Sequence, residues 1–452
     1  MKYPKIANLH NLSDEVKFYA QLKAEYGSKG VGKVVKDAEK ALKRAVKELK
    51  RLPVDERLAA REPDDLEMIR ALRPEGPRRL IDSFKRKDYL DKLEGAFLGR
   101  LAACTLGAPV EFWSVEKMAE HAAYWKEPFP PVDYWKEVPD PYSRRYGGSK
   151  RIEYTRDVMN GVPVDDDIMY TMIGLLIAEE YGVDFTTEDV GKAWVKYLPV
   201  ACTAEEVALN NLKKGISADK AGGVDNPYCE LIGAFIRSDP WGYIAAGWPQ
   251  KAAELAYRDA FLSHRRQGIY GEMFFAATIA AAFVVDDPIE AVKIGLTEIP
   301  AECTLAKDIR WALDALPSIR NYLDGRAAIE QRYTQVDRDV VYNPMYMESY
   351  KGMHHAHTIN NAAIVVFGLA IGGGDFTKTA AETVAMGMDN DCTAATAGSI
   401  VGAIAGKEGI EPHWSKPFNN TIHSYLIGKK KFTISGALKR FAKCAAQCSV
   451  VK

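Results

Sequence analysis

An all-helical fold is predicted by three features of the sequence. From Tyr89 onward apolar residues recur at helical spacing, segment after segment. Alternating β-branched runs bounded by hairpin turns are nearly absent. Many segments are rich in Ala and Gly, as in AATAGSIVGAIAG at 394–406, so their backbones can approach closely. The period places helices at 92–106, 167–181, 187–198, 203–214, 250–263, 271–286, 288–298, 302–323, 359–371, 376–387 and 393–406. Longer loops at 110–165 and 215–250 carry most of the prolines and many aromatics, the composition of segments that wall a cleft.

Residues 1–85 form a Lys/Glu/Arg-rich extension, and residues 86–452 the main domain. Within the extension Val31, Val34, Val35, Ala38, Leu42, Val46 and Leu49 recur at helical spacing, which predicts a helix with a solvated basic face, packed on the main body. The 60 Lys and Arg balance 61 Asp and Glu, so no global field draws the chain to nucleic acid or to an acidic membrane. The longest apolar run, Met273 to Val285, suits a buried helix and is too short to span a bilayer. The N-terminal residues lack the apolar core of a secretory signal, and seven scattered cysteines read as reduced thiols, so a cytoplasmic protein is expected. Oligomeric state is not legible.

Two acidic stretches stand out. Asp165-Asp166-Asp167 and Asp389-Asn390-Asp391 each precede a strongly apolar helix. Helix capping accounts for one or two of these carboxylates. Three in a row, with Asp-x-Asp repeated at a second helix, also suit hard divalent cations, which prefer carboxylate oxygen. Composition leaves both readings open. A further acid, Glu111, follows a Gly/Ala-rich helix and a proline stop, in LGAPVEF.

Together these pieces resemble the ADP-ribosylglycohydrolase family over about residues 90–425. The resemblance runs in order through the opening helix Gly95–Gly99 to Leu106-Gly107-Ala108-Pro109-Val110-Glu111, then Asp165-Asp166-Asp167, then Gly233-Ala234-Phe235-Ile236-Arg237-Ser238-Asp239-Pro240. It continues through Leu262-Ser263-His264 to Gly387-Met388-Asp389-Asn390-Asp391-Cys392-Thr393-Ala394-Ala395. It implies an orthogonal helical bundle with a central cleft holding two divalent cations, Mg²⁺ or Mn²⁺. The implied reaction cleaves the glycosidic bond at the ribose anomeric carbon of a small-molecule or protein-linked ADP-ribosyl conjugate.

The implied metal ligands are Asp165, Asp166 and Asp167 on one side and Asp389, Asp391 and Cys392 on the other. The implied catalytic residues are Glu111, Asp166 and Asp389, with Glu111 helping to activate water. Gly107, Arg237 and His264 stand at positions implied to meet substrate. Arg237 has the alternative of pairing with an acid such as Glu230, and His264 that of a helix-end histidine bonded to backbone. Val164 stands where the family's motif has its first Thr, so a hydroxyl ligand is missing, and Asp167 offers a carboxylate at the second Thr position. Cys392 replaces the usual Thr or Ser. A thiol is a poor partner for Mg²⁺, which favours Mn²⁺ or a backbone or water ligand there. Two other readings accompany the hydrolase: a binding protein that kept the fold and lost catalysis, and a hydrolase of another nucleoside-like substrate.

Three other motifs are set aside. Asp389-x-Asp391-x-Thr393 also spells a phosphatase nucleophile motif, but its flanks are helical where that fold needs a strand. His354, His355 and His357 lack a companion carboxylate motif and lead directly into a helix. Gly372-Gly373-Gly374-Asp375 lacks the Lys-Ser/Thr of a phosphate loop and reads as a helix end.

Overall fold

A computed structural model describes residues 9–333 and 353–452. The first eight residues, which open the stretch read for a secretory signal, lie outside the described part. The described chain is helical apart from one short antiparallel pair, β1 (Thr421–His423) and β2 (Lys431–Thr433), in which Ile422 faces Phe432.

The helices run in order as α1 (Leu9–Glu25), α2 (Val31–Leu49), α3 (Glu56–Arg61), α4 (Leu66–Leu72), α5 (Arg86–Gly107), α6 (Val115–Trp125) and α7 (Asp166–Tyr181). Next come α8 (Thr187–Tyr197), α9 (Thr203–Lys213), α10 (Ala218–Ala221), α11 (Asp239–Ile244), α12 (Pro249–Ala260), α13 (Gln267–Ala282) and α14 (Pro288–Gly295). The last are α15 (Thr304–Ala315), α16 (Tyr322–Tyr333), α17 (Thr358–Gly372), α18 (Phe376–Ala385), α19 (Asn390–Ala405), α20 (Pro412–Ser415) and α21 (Ile434–Gln447).

The chain divides into two compact units. The smaller comprises residues 1–60 and 330–354. Its described core is the α1–α2 hairpin, in which Val16, Tyr19, Val31 and Val35 line a groove between the helices. Val34, Val46 and Leu49 of α2 are exposed. The larger unit spans 61–329 and 355–452. Residues 61–85, grouped with the extension on composition, belong to this larger unit. The Glu62 carboxylate accepts from Thr304 Oγ1 at 2.6 Å, Arg78 pairs with Glu298 at 3.0 Å, and the Phe84 N–H donates to the Val450 carbonyl at 2.8 Å.

The larger unit is built on helices that are apolar all round. Every residue of α13 is buried, as are Thr358–Leu369 of α17 and residues 390–403 of α19. A helix with no polar stripe must be enclosed on all sides, and these form the centre. The Met273–Val285 run falls mainly on α13, as its length required.

The most extensive helix–helix contact is between α5 and α19. Glycine makes it possible: Gly95 faces Gly402 and Gly99 faces Gly398, and a β-carbon on any of the four would collide with the carbonyl oxygen of its opposite number. The same register ends at Gly107, where a β-carbon would lie 2.5 Å from Cα of Asp391. The end of α5 thus lies directly against the acidic start of α19.

The periodic segments fall on helices, with informative differences. The expected helix at 302–323 is broken: α15 ends at Ala315, a 3₁₀ turn spans Leu316–Ser318, and α16 begins at Tyr322. Pro317 has no N–H to continue the ladder. The loop at 110–165 contains α6, started by Ser114, whose side chain accepts from the Lys117 N–H. The amphipathic α21, which buries Leu438, Phe441 and Ala445, was not among the expected helices. Gly373, in the left-handed conformation at φ 60°, closes α17, and Asp375 caps α18, as the Gly-Gly-Gly-Asp reading expects.

The close crossing is testable. Gly398→Leu should destabilise the chain by about 3 kcal/mol through overpacking, read as a lower urea midpoint. An unchanged midpoint would mean that α5 and α19 are not in backbone contact.

Candidate metal centre

The two acidic stretches converge. Asp165 is the N-cap of α7, with Asp166 and Asp167 in its first turn, and Asp389 and Asp391 hold the same places on α19. The positive ends of both helices therefore face one cluster. Glu111 arrives from the turn after α5, and its loop is tied to the start of α19 by the Phe112 N–H donating to the Met388 carbonyl at 3.0 Å. Three groups of side chains bring their ligand atoms within 4.8 Å of one another: Glu111, Asp389 and Asp391; Asp167, Asp391 and Cys392; and Cys104, Asp165 and Asp167.

Capping accounts for only part of this. Asp165 does cap, with Oδ1 accepting the Asp167 N–H at 3.1 Å. Asp389 occupies the N-cap position of α19 but makes no capping bond. Its Oδ1 is buried with no hydrogen-bond partner among the described residues, and the residue is 4% exposed. A buried carboxylate oxygen without a donor is costly, and capping of its own helix does not account for this atom.

Two arginines enter the cluster. Arg100, on α5, is fully buried. Its guanidinium donates to Asp239 Oδ2 at 2.7 Å, to Thr171 Oγ1 at 2.7 Å and to Asp167 Oδ1 at 3.2 Å. Arg145 comes from the long loop. Nη1 donates to Glu111 Oε2 at 2.6 Å, and Nη2 to Asp165 Oδ2 at 2.9 Å and Asp391 Oδ2 at 3.1 Å. Its neighbour Tyr146 donates from its hydroxyl to Asp166 Oδ1 at 2.7 Å.

Neither arginine was singled out in the sequence. Arg100 had a signal, as the one charge in the apolar stretch GAFLGRLAACTLG. Arg145 had a weaker one, a Tyr-Gly-Gly turn directly after two arginines.

The electrostatics follow from six carboxylates facing two guanidiniums. Burial, then Glu111, pushes Asp389 up to about 7. Burial pushes Asp167 up to about 8 although Arg100 opposes it. Asp166 and Asp391 are raised well above the usual carboxylate range, by burial first and then by neighbouring acids. The Cys104 and Cys392 thiols are pushed up by burial and by the surrounding aspartates, so both stay protonated. Cys392 accordingly acts as a donor, from Sγ to Asp167 Oδ2 at 3.1 Å. Val164 brings no oxygen to the cluster.

The remaining expected site residues divide. Gly107 adjoins the cluster through its contact with Asp391. Arg237 is buried in a second ion cluster, pairing with Asp259 at 2.6 Å, Glu205 at 2.8 Å and Glu272 at 3.3 Å. Glu230 pairs instead with Arg266, at 3.1 Å. His264 is fully buried beside that second cluster, bonded through Nδ1 to Ser263 Oγ at 2.8 Å, and burial holds its pKa well below the usual value. His357 caps α17 through Nδ1, at 3.2 Å from the Ile359 N–H. Of the loop aromatics, Trp135 and Trp241 pack in the interior, whereas Tyr146 stands at the cluster with its ring 5.7 Å from that of Tyr425.

A family profile described as ADP-ribosylglycohydrolase matches residues 85–440. A solved structure titled "ADP-ribosylglycohydrolase-related protein complex" is similar at 18% identity and a TM-score of 0.44, over 80% of this chain and 98% of that one. No curated protein matches. Among the described residues no helix is long and apolar enough to cross a membrane.

The raised carboxylates predict a pH dependence. A carboxyl group that holds its proton more tightly folded than unfolded costs stability once the unfolded chain would ionise it, and the full cost is reached above the folded-state pKa. With chelator present, the Tm should therefore fall between about pH 5 and about pH 8, and Mn²⁺ should restore it most at the upper end. A chelated Tm that is flat or rises across this window would contradict the cluster's charge balance.

Proposed function

Because the chain belongs to the ADP-ribosylglycohydrolase family, we propose that it is a metal-dependent hydrolase cleaving the bond at the ribose anomeric carbon of an ADP-ribosyl or related ribosyl conjugate. The observation that carries this reading is the meeting of Glu111, Asp389 and Asp391 in one cluster, with Asp166 beside it and, like Glu111, partly exposed. The donors suit a hard divalent ion, Mg²⁺ or Mn²⁺. They are carboxylate oxygens, and one of them, Asp389 Oδ1, has no protein partner. Asp389, Asp391 and Glu111 would hold the ion, with Asp167 and Cys392 adjoining. When bound, the ion would supply Lewis acidity at the ribose hydroxyls.

The chain's own residues supply the rest. Glu111 is 23% exposed at the edge of the cluster, where it orients the attacking water and takes its proton. Water oxygen bonds to the anomeric carbon as the bond to the leaving group breaks. The transition state there is oxocarbenium-like, and the surrounding carboxylates favour its positive charge. Asp166, whose proton affinity is raised by burial and by Asp165 and Asp167, is the residue we assign to give a proton to the leaving group. Phe112, Tyr146 and Tyr425 flank this side and offer rings to a nucleoside. A cytoplasmic setting is part of the same proposal, in keeping with seven unpaired cysteines.

Val164 and Cys392, standing where the family's motifs carry hydroxyls, favour a second reading, a binding protein without turnover. One assay separates the two. Purified chain with Mg²⁺ or Mn²⁺ should release ADP-ribose from N- or O-linked ADP-ribosyl conjugates. Asp389→Ala and Asp391→Ala should each lower the rate by about 10²–10³-fold while the fold is kept. Calorimetric binding of ADP-ribose without release from any conjugate would replace the hydrolase reading with the second. Release that is indifferent to chelator and to both variants would end the metal-dependent mechanism.

A further inference from the structure

We propose that the guanidinium of Arg145 takes the place of one of the two cations implied by the family resemblance, so that the cluster holds a single divalent ion on its Asp389 side. This rests on the metal-dependent reading above and narrows it.

The contacts of Arg145 are those of a cation at the centre of a ligand set. Its two terminal nitrogens satisfy one oxygen each of Glu111, Asp165 and Asp391, at 2.6, 2.9 and 3.1 Å. These acids come from three separate stretches of chain, so the arginine joins what a bridging ion would otherwise join. A fixed fork of donors does this bond by bond, with less desolvation than an ammonium would need.

The arginine is held in place. Its N–H donates to the Ser149 carbonyl at 3.0 Å, and the Gly148 N–H donates back to the Arg145 carbonyl at 2.9 Å. The two residues between, Tyr146 and Gly147, have φ of 49° and 67°, which is the signature of a type I′ hairpin turn. Arg144 bridges Lys150 across the same hairpin. Nη1 also donates to the Ala108 carbonyl, at 3.0 Å. Val164 supports the turn from beneath: a β-carbon built on Gly148 would lie 2.8 Å from Val164 Cγ2. The residue that brings no oxygen to the cluster thus packs under the loop that brings the guanidinium.

What remains on the Asp165 side does not suit a second hard cation. The third group there is Cys104 with Asp165 and Asp167. Cys104 offers sulfur, a poor ligand for a hard cation, Asp165 is divided between its own helix cap and Arg145, and Asp167 is divided between Arg100 and the Cys392 thiol. The Asp389 side differs in one respect: Asp389 has a buried oxygen with no hydrogen-bond partner among the described residues, and Glu111 meets Arg145 through Oε2 alone, whereas Asp391 is divided between the Cys392 N–H, at 3.0 Å, and Arg145.

The test counts Mn²⁺ in the full-length chain, after dialysis with Mn²⁺ and removal of excess, by elemental analysis and by electron paramagnetic resonance. Wild type should carry one Mn²⁺ per chain with the spectrum of an isolated ion. Arg145→Met should carry two, with a dipolar-coupled spectrum, and Arg145→Lys should stay at one. Two coupled ions in wild type would overturn the inference and leave the metal-dependent reading standing. So would a single ion in a folded Arg145→Met variant. No Mn²⁺ in any form would overturn both. The wild-type count decides the matter even if Arg145→Met does not fold.

Discussion

Like charges gathered out of water repel strongly, and this repulsion governs the structure around the cluster. Glu111, Asp165, Asp167, Asp389 and Asp391 fall in neighbouring groups of converging side chains, most of them buried, and Asp166 adjoins them. Isolated ionised carboxylates do not survive such an environment; they take up protons or acquire counter-charges. The chain supplies counter-charge of two kinds. The N-termini of α7 and α19 point inward, and their peptide dipoles favour negative charge. Arg100 and Arg145 then bring full positive charges, Arg100 from within the helical core and Arg145 from the partly exposed loop. The acids remain in excess, and their proton affinities rise accordingly.

The fold can be understood as the framework that holds this excess in place. Bringing α5 against α19 through glycine pairs sets the end of α5, and so the Glu111 turn, on the backbone of Asp391. A bulkier residue along that seam would separate Glu111 from its partners. Arg100 is fully enclosed and joins α5 to the first turn of α7 and to Asp239 at the start of α11. Removing one partner from such a buried pair typically costs about 3–5 kcal/mol, so the ion pair that steadies Asp167 is also a joint of the scaffold. Arg237 forms a comparable joint among α9, α12 and α13 through Glu205, Asp259 and Glu272. Its donors are spent on protein carboxylates.

Much of this could be read before any coordinates. Helical period located the main helices because each has to bury an apolar face, and α13 and α19 had no polar face at all. Boundaries were weaker: Pro317 ends one helix inside a continuous apolar pattern, and α6 hides in a loop rich in proline and aromatics. Of the site, the five aspartates were visible as residues out of place in their surroundings, whereas Glu111 looks like an ordinary loop glutamate and stood out only through the family resemblance. Arg145 was not visible, because an arginine in a polar loop looks like any other solvated charge until the loop's course is known.

By itself the sequence determined the class of fold, the positions of the helices and which acids demand an explanation, since periodicity and local charge are properties of neighbouring residues. Only the tertiary structure decided what answers that demand. Whether Asp389 Oδ1 meets a donor is decided there, and so is the guanidinium that joins Asp165 and Asp391, which stands 20 residues from the one and 246 from the other along the chain. Contacts at such separations are set by how helices pack, and no local pattern encodes them.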